Sequence, residues 1–166
     1  MATIYDIAKI CNVSTATVSR VLNGSTHPIH PDTRAKILKT ANKLNYHPNS
    51  IAKSLASGRT QTIALLIPTI ANDYYTQIAE AMENELNDAG YIAYLCNTKR
   101  SVLRETEYIN NLIARRVDGV IFSPTRIKPE DNIKNLENIE ELRENGIAIV
   151  AFGSRFKAIS QVSVNT

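Results

Sequence analysis

The sequence predicts a two-part chain of the α + α/β class, in which a small helical domain precedes an α/β unit with a parallel sheet. Up to residue 58, apolar residues recur at the spacing of one helix face. Beyond residue 60, short apolar runs alternate with helical patterns. This alternation is typical of parallel strands joined by crossover helices.

The distribution of charge divides the chain at the same place. Residues 1–60 carry eight basic and two acidic side chains, whereas the remainder carries 11 basic and 14 acidic ones. A basic front joined to a mildly acidic back indicates two modules with different partners, the first of them suited to phosphate. A solvated basic surface would explain the charge alone equally well.

The first two helices are predicted between residues 3 and 22 and are joined by a tight turn. Thr3 suits the N-cap of the first helix, with Asp6 at the reciprocal capping position. Ser14 suits the N-cap of the second helix, and Asn12 between them tolerates the left-handed backbone of a turn. The apolar faces are formed by Ile4, Ile7, Ala8 and Cys11 in the first helix and by Val18, Val21 and Leu22 in the second.

A third helix and a short fourth helix follow. Residues 23–24 end the second helix, and Pro31 suits the first position of the third. The buried face predicted for the third helix consists of Ile37, Leu38, Ala41 and Leu44. Residues 45–48 end it, and a weaker amphipathic pattern at residues 51–56 predicts a last helix that closes at Gly58.

In the second half of the chain, strands are expected to alternate with helices. The strands are predicted at residues 63–67, 91–96, 117–122 and 147–152, with one more at 162–164. The helices are predicted at residues 74–89, 105–115 and 136–144. The pattern therefore predicts a helix-turn-helix domain at residues 1–48, a short helix and linker at 49–60, and an α/β core at 61–166.

The sequence does not support a metal site or a disulfide. His27 and His30 are close, but they do not lie on a helix, and no acidic or cysteine cluster supplies the missing ligands. No metal and no other cofactor is therefore predicted. Cys11 and Cys96 lie on apolar stretches far apart in the chain, which favours two buried reduced thiols over a disulfide.

Membrane proteins and enzymes are two further classes that fit the sequence poorly. No apolar run approaches the roughly 18 residues of a membrane helix. Residues 1–10 lack the pattern of a secretory signal, so a cytoplasmic protein is expected. A glycine-rich dinucleotide turn, a P-loop and a nucleophile elbow are all absent from the sequence. We predict that the chain is not an enzyme.

The outer face of the second helix carries the most informative side chains. Once the inner stripe is assigned, the remaining side chains are Thr15, Ala16, Thr17, Ser19 and Arg20. Arg20 can donate to the two acceptors of guanine, and Ala16 can contact a thymine methyl group. Ser14 and Thr17 can bind phosphate together with the free amides at the helix start. This surface favours a recognition helix in the major groove of DNA, against the alternative of an ordinary solvated helix face.

Several runs within residues 1–59 resemble the signature of the LacI/GalR family of transcription regulators. They are TIYDIA at 3–8, VS at 13–14, ATVSRVLN at 16–23, TR at 33–34, LNYHPN at 44–49 and AKSL at 52–55. The resemblance implies that Thr15, Ala16 and Arg20 read bases in the major groove. The contacts to the DNA backbone that it implies are those of Tyr5, Ser14, Thr17, Asn23, Tyr46 and Asn49.

Residues 49–56 resemble the hinge helix of that family. Isolated helices below about 12 residues are marginal in water, and the resemblance implies that this one folds when two copies meet on operator DNA. Leu55 matches the leucine that wedges into a base step and kinks the duplex. Ala52 lets the two hinge helices lie close together. We expect both Leu55 and Ala52 to contact bases. The alternative for Leu55 is a linker residue that packs on the protein.

Residues 63–166 resemble the start of the family's regulatory core, a periplasmic-binding-protein-like α/β lobe. The resemblance implies that Asn72, Tyr74 and Tyr75 line a cleft for a small sugar-like effector. Ser123, at the end of another predicted strand, is expected to face the same crevice. From the residues alone, Tyr74 and Tyr75 could equally be core or surface aromatics. The departures from the family pattern are Asn12 for glycine, His30-Pro31-Asp32 for a serine-based cap, Asp73 for proline and Asn165 for aspartate.

These inferences combine into one expected function. We expect a transcription repressor that binds a palindromic site on double-stranded DNA as a homodimer. A full family member continues beyond residue 166, so one wall of the effector cleft is expected to be missing and the effector response to be impaired. Two alternatives remain, a non-functional or effector-blind repressor fragment and a solute-binding module of a transporter. The second alternative would require a signal peptide and two lobes.

Overall fold

The computed structural model describes residues 2–125, 131–152 and 160–162. The chain divides into two compact units, Met1–Ser50 and Ile51–Thr166. Each unit has its own hydrophobic core, with one cluster of buried side chains in the first unit and two clusters in the second.

The first unit is helical and consists of α1 (Ile4–Cys11), α2 (Thr15–Leu22) and α3 (Pro31–Lys43), as predicted. Its core is formed by Ile7, Ala8, Cys11, Val18, Val21, Ile37 and Ala41. The prediction that Leu38 is buried is wrong, because its side chain is 44 % exposed. Neighbouring positions lie about 100° apart around a helix, so Leu38 points away from the core that Ile37 and Ala41 contact.

Local hydrogen bonds fix both ends of α1. Thr3 Oγ1 accepts from the Asp6 amide at 3.3 Å, and the Asp6 carboxylate accepts from the Thr3 amide at 2.8 Å, which confirms the reciprocal cap. The Thr3 hydroxyl, and then its amide, hold the pKa of Asp6 below its usual value. At the other end Asn12 has a φ of +57°, and the Val13 amide donates to the Ala8 carbonyl at 3.0 Å. The predicted left-handed turn is confirmed.

The second unit contains helix α4 and the α/β core. Helix α4 (Ser50–Ser57) ends at Gly58, whose φ of +69° closes it as predicted. The strands are β1 (Thr62–Ile67), β2 (Ile92–Asn97), β3 (Gly119–Phe122), β4 (Ala148–Phe152) and β5 (Ser160–Val162). The remaining helices are α5 (Asp73–Asp88), α6 (Val102–Ala114) and α7 (Asp131–Glu144).

Two helices of this core begin earlier than their apolar pattern predicts. Helix α6 begins at Val102 because the Ser101 hydroxyl caps it by accepting from the Arg104 amide at 3.4 Å. Helix α7 begins at Asp131, and the one apolar residue of its first turn, Ile133, is 65 % exposed and does not extend the buried stripe. Of the last predicted strand, residue 162 belongs to β5, and residues 163–164 lie outside the described residues.

The strands form one parallel sheet in the order β2-β1-β3-β4-β5. Strand β1 is buried on both faces: Ala64 and Leu66 join one core cluster, and Leu65 and Ile67 join the other. This is the pattern of a parallel sheet covered by helices on both sides, and it confirms the predicted fold class. Strand order reverses between β1 and β3, so their carboxyl ends flank a topological switch point, where α/β folds commonly bind ligands.

Both cysteines are free and buried, as predicted. Burial raises the pKa of the Cys96 thiol from 9.0 to about 11, which keeps it protonated at neutral pH. Within the described ranges, no group of three or more His, Cys, Asp and Glu side chains could hold a metal ion. In the same described ranges, every helix is too short or too polar to span a membrane.

Candidate nucleic-acid interface

The first turn of α2 presents hydroxyl groups and backbone amides. Ser14 Oγ accepts from the Thr17 amide at 3.1 Å and lies 2.9 Å from the Thr17 hydroxyl. Helices α1 and α3 each carry an aspartate in the first turn, whereas α2 carries no acidic residue there. Because the start of a helix has a partial positive charge and unpaired amides, the start of α2 suits an anion such as phosphate.

The side chains predicted to read bases lie together on α2. Val18 and Val21 are buried in the core of the first unit, so the opposite face of the helix meets solvent. Ala16 and Arg20 are exposed on that face and lie one turn apart, and Thr15 is half-buried at the first helical position. The arrangement places a small methyl group next to a long guanidinium with several donors.

Of the residues predicted to contact the DNA backbone, Ser14, Thr17 and Asn23 belong to α2 and its caps, and Tyr5, Tyr46 and Asn49 lie elsewhere. Tyr5 is 73 % exposed in the first turn of α1. Asn23 ends α2, and its Nδ2 donates to Ser19 Oγ at 3.2 Å. Tyr46 is half-buried against the core, and Asn49 is exposed just before α4. Tyr5, Asn23 and Asn49 are accessible, whereas Tyr46 presents only part of its side chain.

Two basic side chains of α3, which the sequence analysis missed, hold the segments that flank α2. Arg34 Nη2 donates to the Ser25 carbonyl at 3.1 Å, just beyond the end of α2. Lys36 Nζ donates to the Cys11 carbonyl at 3.3 Å, at the last residue of α1. The available signal was helical spacing, since Arg34 lies one turn before the fully buried Ile37.

Helix α4 exposes the apolar side chains of its outer face. The exposed fractions are 76 % for Ile51 and 82 % for Leu55, which lie one turn apart. Ala52 is also exposed, three positions before Leu55. The high exposure of Leu55 weighs against the alternative in which it packs on the protein, and it leaves both Ala52 and Leu55 accessible.

One carboxylate holds the linker that follows α4. Asp118 accepts from the Thr60 amide at 2.7 Å, from the Thr60 hydroxyl at 3.0 Å and from the Gln61 amide at 3.0 Å. Lys53 Nζ, on α4, donates to Gln61 Oε1 at 2.8 Å. Helix, linker and sheet are therefore joined by a continuous set of hydrogen bonds at the amino end of β3.

The residues predicted to line an effector cleft follow β1 and β3. Asn72 Oδ1 accepts from the Tyr74 amide at 2.9 Å and caps α5. The rings of Tyr74 and Tyr75 meet edge to face with centroids 5.2 Å apart. Tyr74 is 37 % exposed, whereas Tyr75 packs on the core cluster beneath α5. Ser123 is only 4 % exposed, so Asn72 and Tyr74 are the accessible members of the set.

A buried polar cluster, which the sequence analysis also missed, holds the loop after β3. Glu105 is fully buried on α6, and its carboxylate accepts from the Thr125 amide at 2.8 Å. The Thr125 hydroxyl lies 2.9 Å from that of Thr98, and the Thr125 carbonyl accepts from Asn135 Nδ2 at 3.0 Å. A glutamate in a helical pattern is assigned to the surface by default because glutamates are rarely buried.

The amino-terminal residues match a known family. Residues 3–49 match the family described as "Bacterial regulatory proteins, lacI family". Catabolite control protein A of Staphylococcus xylosus is 40 % identical over 163 residues, which are 98 % of this chain and 47 % of that protein. The same protein of Priestia megaterium is 36 % identical over 152 residues, or 92 % of this chain and 43 % of the relative. The chain thus spans about half the length of these curated relatives.

Solved structures resemble the chain over nearly its whole length. The lac repressor dimer bound to operator and the anti-inducer ONPF superposes with a TM-score of 0.78 and 25 % identity, covering 98 % of this chain and 48 % of the repressor chain. A lacI-family transcriptional regulator from Silicibacter pomeroyi gives a TM-score of 0.73 and 26 % identity, covering 99 % of this chain and 47 % of its own.

Proposed function

We propose that this chain, which belongs to the lacI family of bacterial regulatory proteins, binds double-stranded DNA at a specific sequence and represses transcription there. The observation that carries the proposal is the outer face of α2, where Ala16 and Arg20 are exposed and the first turn holds no carboxylate. This helix lies within residues 3–49, the part that matches the family. The excess of eight basic over two acidic residues in residues 1–60 favours the phosphate backbone as a partner.

The proposed roles follow from the chemistry of each side chain. Arg20 donates to O6 and N7 of a guanine, Ala16 contacts a thymine methyl group, and Thr15 bonds a neighbouring base edge. The residues that fix the helix against phosphates are Ser14 and Thr17 at the start of α2, with Tyr5, Asn23, Tyr46 and Asn49 around it. Contacts to the bases would then select the sequence, and contacts to the phosphates would fix the position of the helix along the duplex.

The proposed DNA site is a palindrome bound by two copies of the chain. One solved structure that the chain resembles is a repressor dimer on its operator. In such a dimer, two recognition helices reach successive major grooves about one helical turn apart. Leu55 would enter a minor-groove base step, and Ala52 would allow two α4 helices to approach; the exposure of both supports this role.

The decisive experiment is selection of duplexes from a random library by the full chain, followed by titration at two salt concentrations. We expect a symmetric site and an affinity that falls steeply with salt. Arg20→Ala should lower discrimination at one base pair per half-site by about tenfold to a hundredfold. Lys39→Ala, which removes an exposed charge from α3, serves as the control and should leave that discrimination unchanged. Selection of no site would refute the function, and equal loss on every duplex would refute the role of Arg20.

A small sugar-like effector is the second proposed partner, bound at the carboxyl ends of β1 and β3. The exposed Tyr74 ring and the Asn72 amide support this proposal, since aromatic faces and amides are common groups in ligand clefts. Tyr75 and Ser123, which are less exposed, are proposed to support Asn72 and Tyr74 from below in the same cleft. We would measure the melting temperature of the second unit against a panel of mono- and disaccharides. A rise that Tyr74→Ala abolishes is expected, and no rise with any sugar would refute it.

The proposed function also covers where and how the chain acts. A protein that binds chromosomal DNA in a bacterium works in the cytoplasm, and we propose that location here. We propose in addition that the chain regulates by occupying DNA and not by catalysis, because its relatives are regulatory proteins.

A further inference from the structure

We propose that Arg34 is a positioning residue for Arg20 and acts on it through the backbone of Ser25. The inference rests on the proposed DNA-binding function, because it concerns how the base-reading guanidinium of Arg20 is held. Three residues and two hydrogen bonds form the connection, and all of them belong to the first unit.

The first step of the connection lies at the end of α2. The Ser25 amide donates to the Arg20 carbonyl at 2.9 Å, and the Gly24 amide donates to the Val21 carbonyl at 3.2 Å. Gly24 has a φ of +66°, the left-handed conformation that this paired closure of a helix requires. Ser25 is therefore bonded directly to the backbone of the residue proposed to read guanine.

The second step joins Ser25 to α3. Arg34 Nη2 donates to the Ser25 carbonyl at 3.1 Å, in a partly buried contact. A hydrogen bond from a charged donor is stronger than one between neutral groups. Arg34 itself lies one turn before Ile37, which is fully buried in the core. The guanidinium thus ties the end of α2 to a rigid part of the unit.

Helix α2 depends on such a tie because it is short. It contains eight residues, and a helix of that length has little stability of its own. Its start is fixed by the Ser14 cap, whereas Arg20 lies in its last turn, beside the closure that Ser25 makes. Loss of the Arg34 contact would free this end, and the Arg20 side chain would then meet its base pair in a wider range of orientations.

The competing explanation is that Arg34 binds a phosphate directly. The two roles predict different dependences of the DNA affinity on salt concentration. Removal of a phosphate contact lowers the slope of log affinity against log salt by about one and weakens binding on all sequences alike. Removal of a positioning residue leaves that slope unchanged and weakens discrimination at the base pair that Arg20 reads.

The test compares Arg34→Met with Arg34→Lys in the full chain, on the palindromic site selected by the wild-type chain and on the same site changed at the Arg20 base pair. We expect Arg34→Met to lower the ratio of the two affinities by about tenfold, with the salt slope unchanged. Arg34→Lys keeps one charged donor and should restore part of the ratio. The control is Lys39→Met, which removes an exposed charge from the same helix. It should leave the ratio unchanged.

A double substitution shows whether Arg34 acts through Arg20. In the Arg20→Ala background, Arg34→Met should cause no further loss of discrimination at that base pair, because the group it positions is gone. Amide hydrogen exchange of the free chain gives a readout without DNA. The Ser25 and Gly24 amides should exchange faster in Arg34→Met, while amides in α1 and α3 keep their protection, which also establishes that the variant is folded.

The outcomes separate the two proposals. If the wild-type chain selects no site, the DNA-binding function fails and the role of Arg34 falls with it. If a site is selected but Arg34→Met keeps full discrimination, or loses salt slope instead, only the positioning role is overturned. Additive losses in the double substitution would overturn it as well.

Discussion

The two units of the chain differ in where they keep their polar side chains. In the first unit, all the buried side chains of the described residues are apolar, from Ile7 to Ala41. In the second unit, the buried set also includes Thr62, Thr98, Glu105, Ser123, Thr125, Asn135 and Asn138. Among these described residues, no hydroxyl, amide or guanidinium side chain of the first unit is therefore fully buried, and most of them are accessible to the DNA that we propose as a partner. The second unit uses some of its polar groups internally, to fix the loops that follow its strands.

Substitutions in the cores of the two units test this difference with the largest expected effect. Ile37 in the first unit and Leu142 in the second are both fully buried, so Ile37→Ala and Leu142→Ala should each cost about 2–5 kcal/mol of unfolding free energy. Because the two cores are separate clusters, each substitution should lower amide protection only in its own unit. Simultaneous loss of protection in both units, measured by hydrogen exchange, would contradict the division into two independently stabilised units.

The buried polar groups of the second unit provide the next test. Glu105→Ala leaves the buried Thr125 amide without the acceptor that lies 2.8 Å away, which should cost about 1–3 kcal/mol in a denaturant titration. Glu107→Ala, at an exposed position on the same helix, is the matched control and should stay within about 0.5 kcal/mol of wild type. Equal effects of the two substitutions would show that burial of Glu105 contributes nothing specific.

The smallest expected effect concerns pH and the first unit. Hydrogen bonds from Thr3 hold the pKa of Asp6 below its usual 3.8. A carboxyl whose pKa is lowered on folding stabilises the folded state above its usual pKa, and this stabilisation is lost as the pH falls through the lowered value. We expect the melting temperature of the first unit to decline below about pH 4, and Asp6→Asn to flatten that decline. An unchanged profile in Asp6→Asn would contradict the role of this cap.

Sequence patterns captured what depends on local chemistry. The cap at Thr3, the left-handed turn at Asn12 and the parallel sheet covered on both faces all have signatures of residue type and period. The contact between Arg34 and the Ser25 carbonyl has no such signature, since every residue carries the same backbone carbonyl. The burial of Glu105 and Ser123 could not be predicted from the sequence pattern either. It depends on how α6 and the end of β3 pack in the folded chain, and adjacent residues in the sequence do not determine that packing.

The three hydrogen bonds that the Asp118 carboxylate accepts have a consequence for anyone who joins this α/β core to a different amino-terminal domain. Two of the three donors are the backbone amides of residues 60 and 61, so a grafted linker can supply them with any residue except proline, which has no amide hydrogen. Gln61 adopts a φ of +54°, a conformation that glycine or asparagine tolerates best. The transferable unit therefore begins at residue 60 and not at the first strand, and it carries its own acceptor in Asp118.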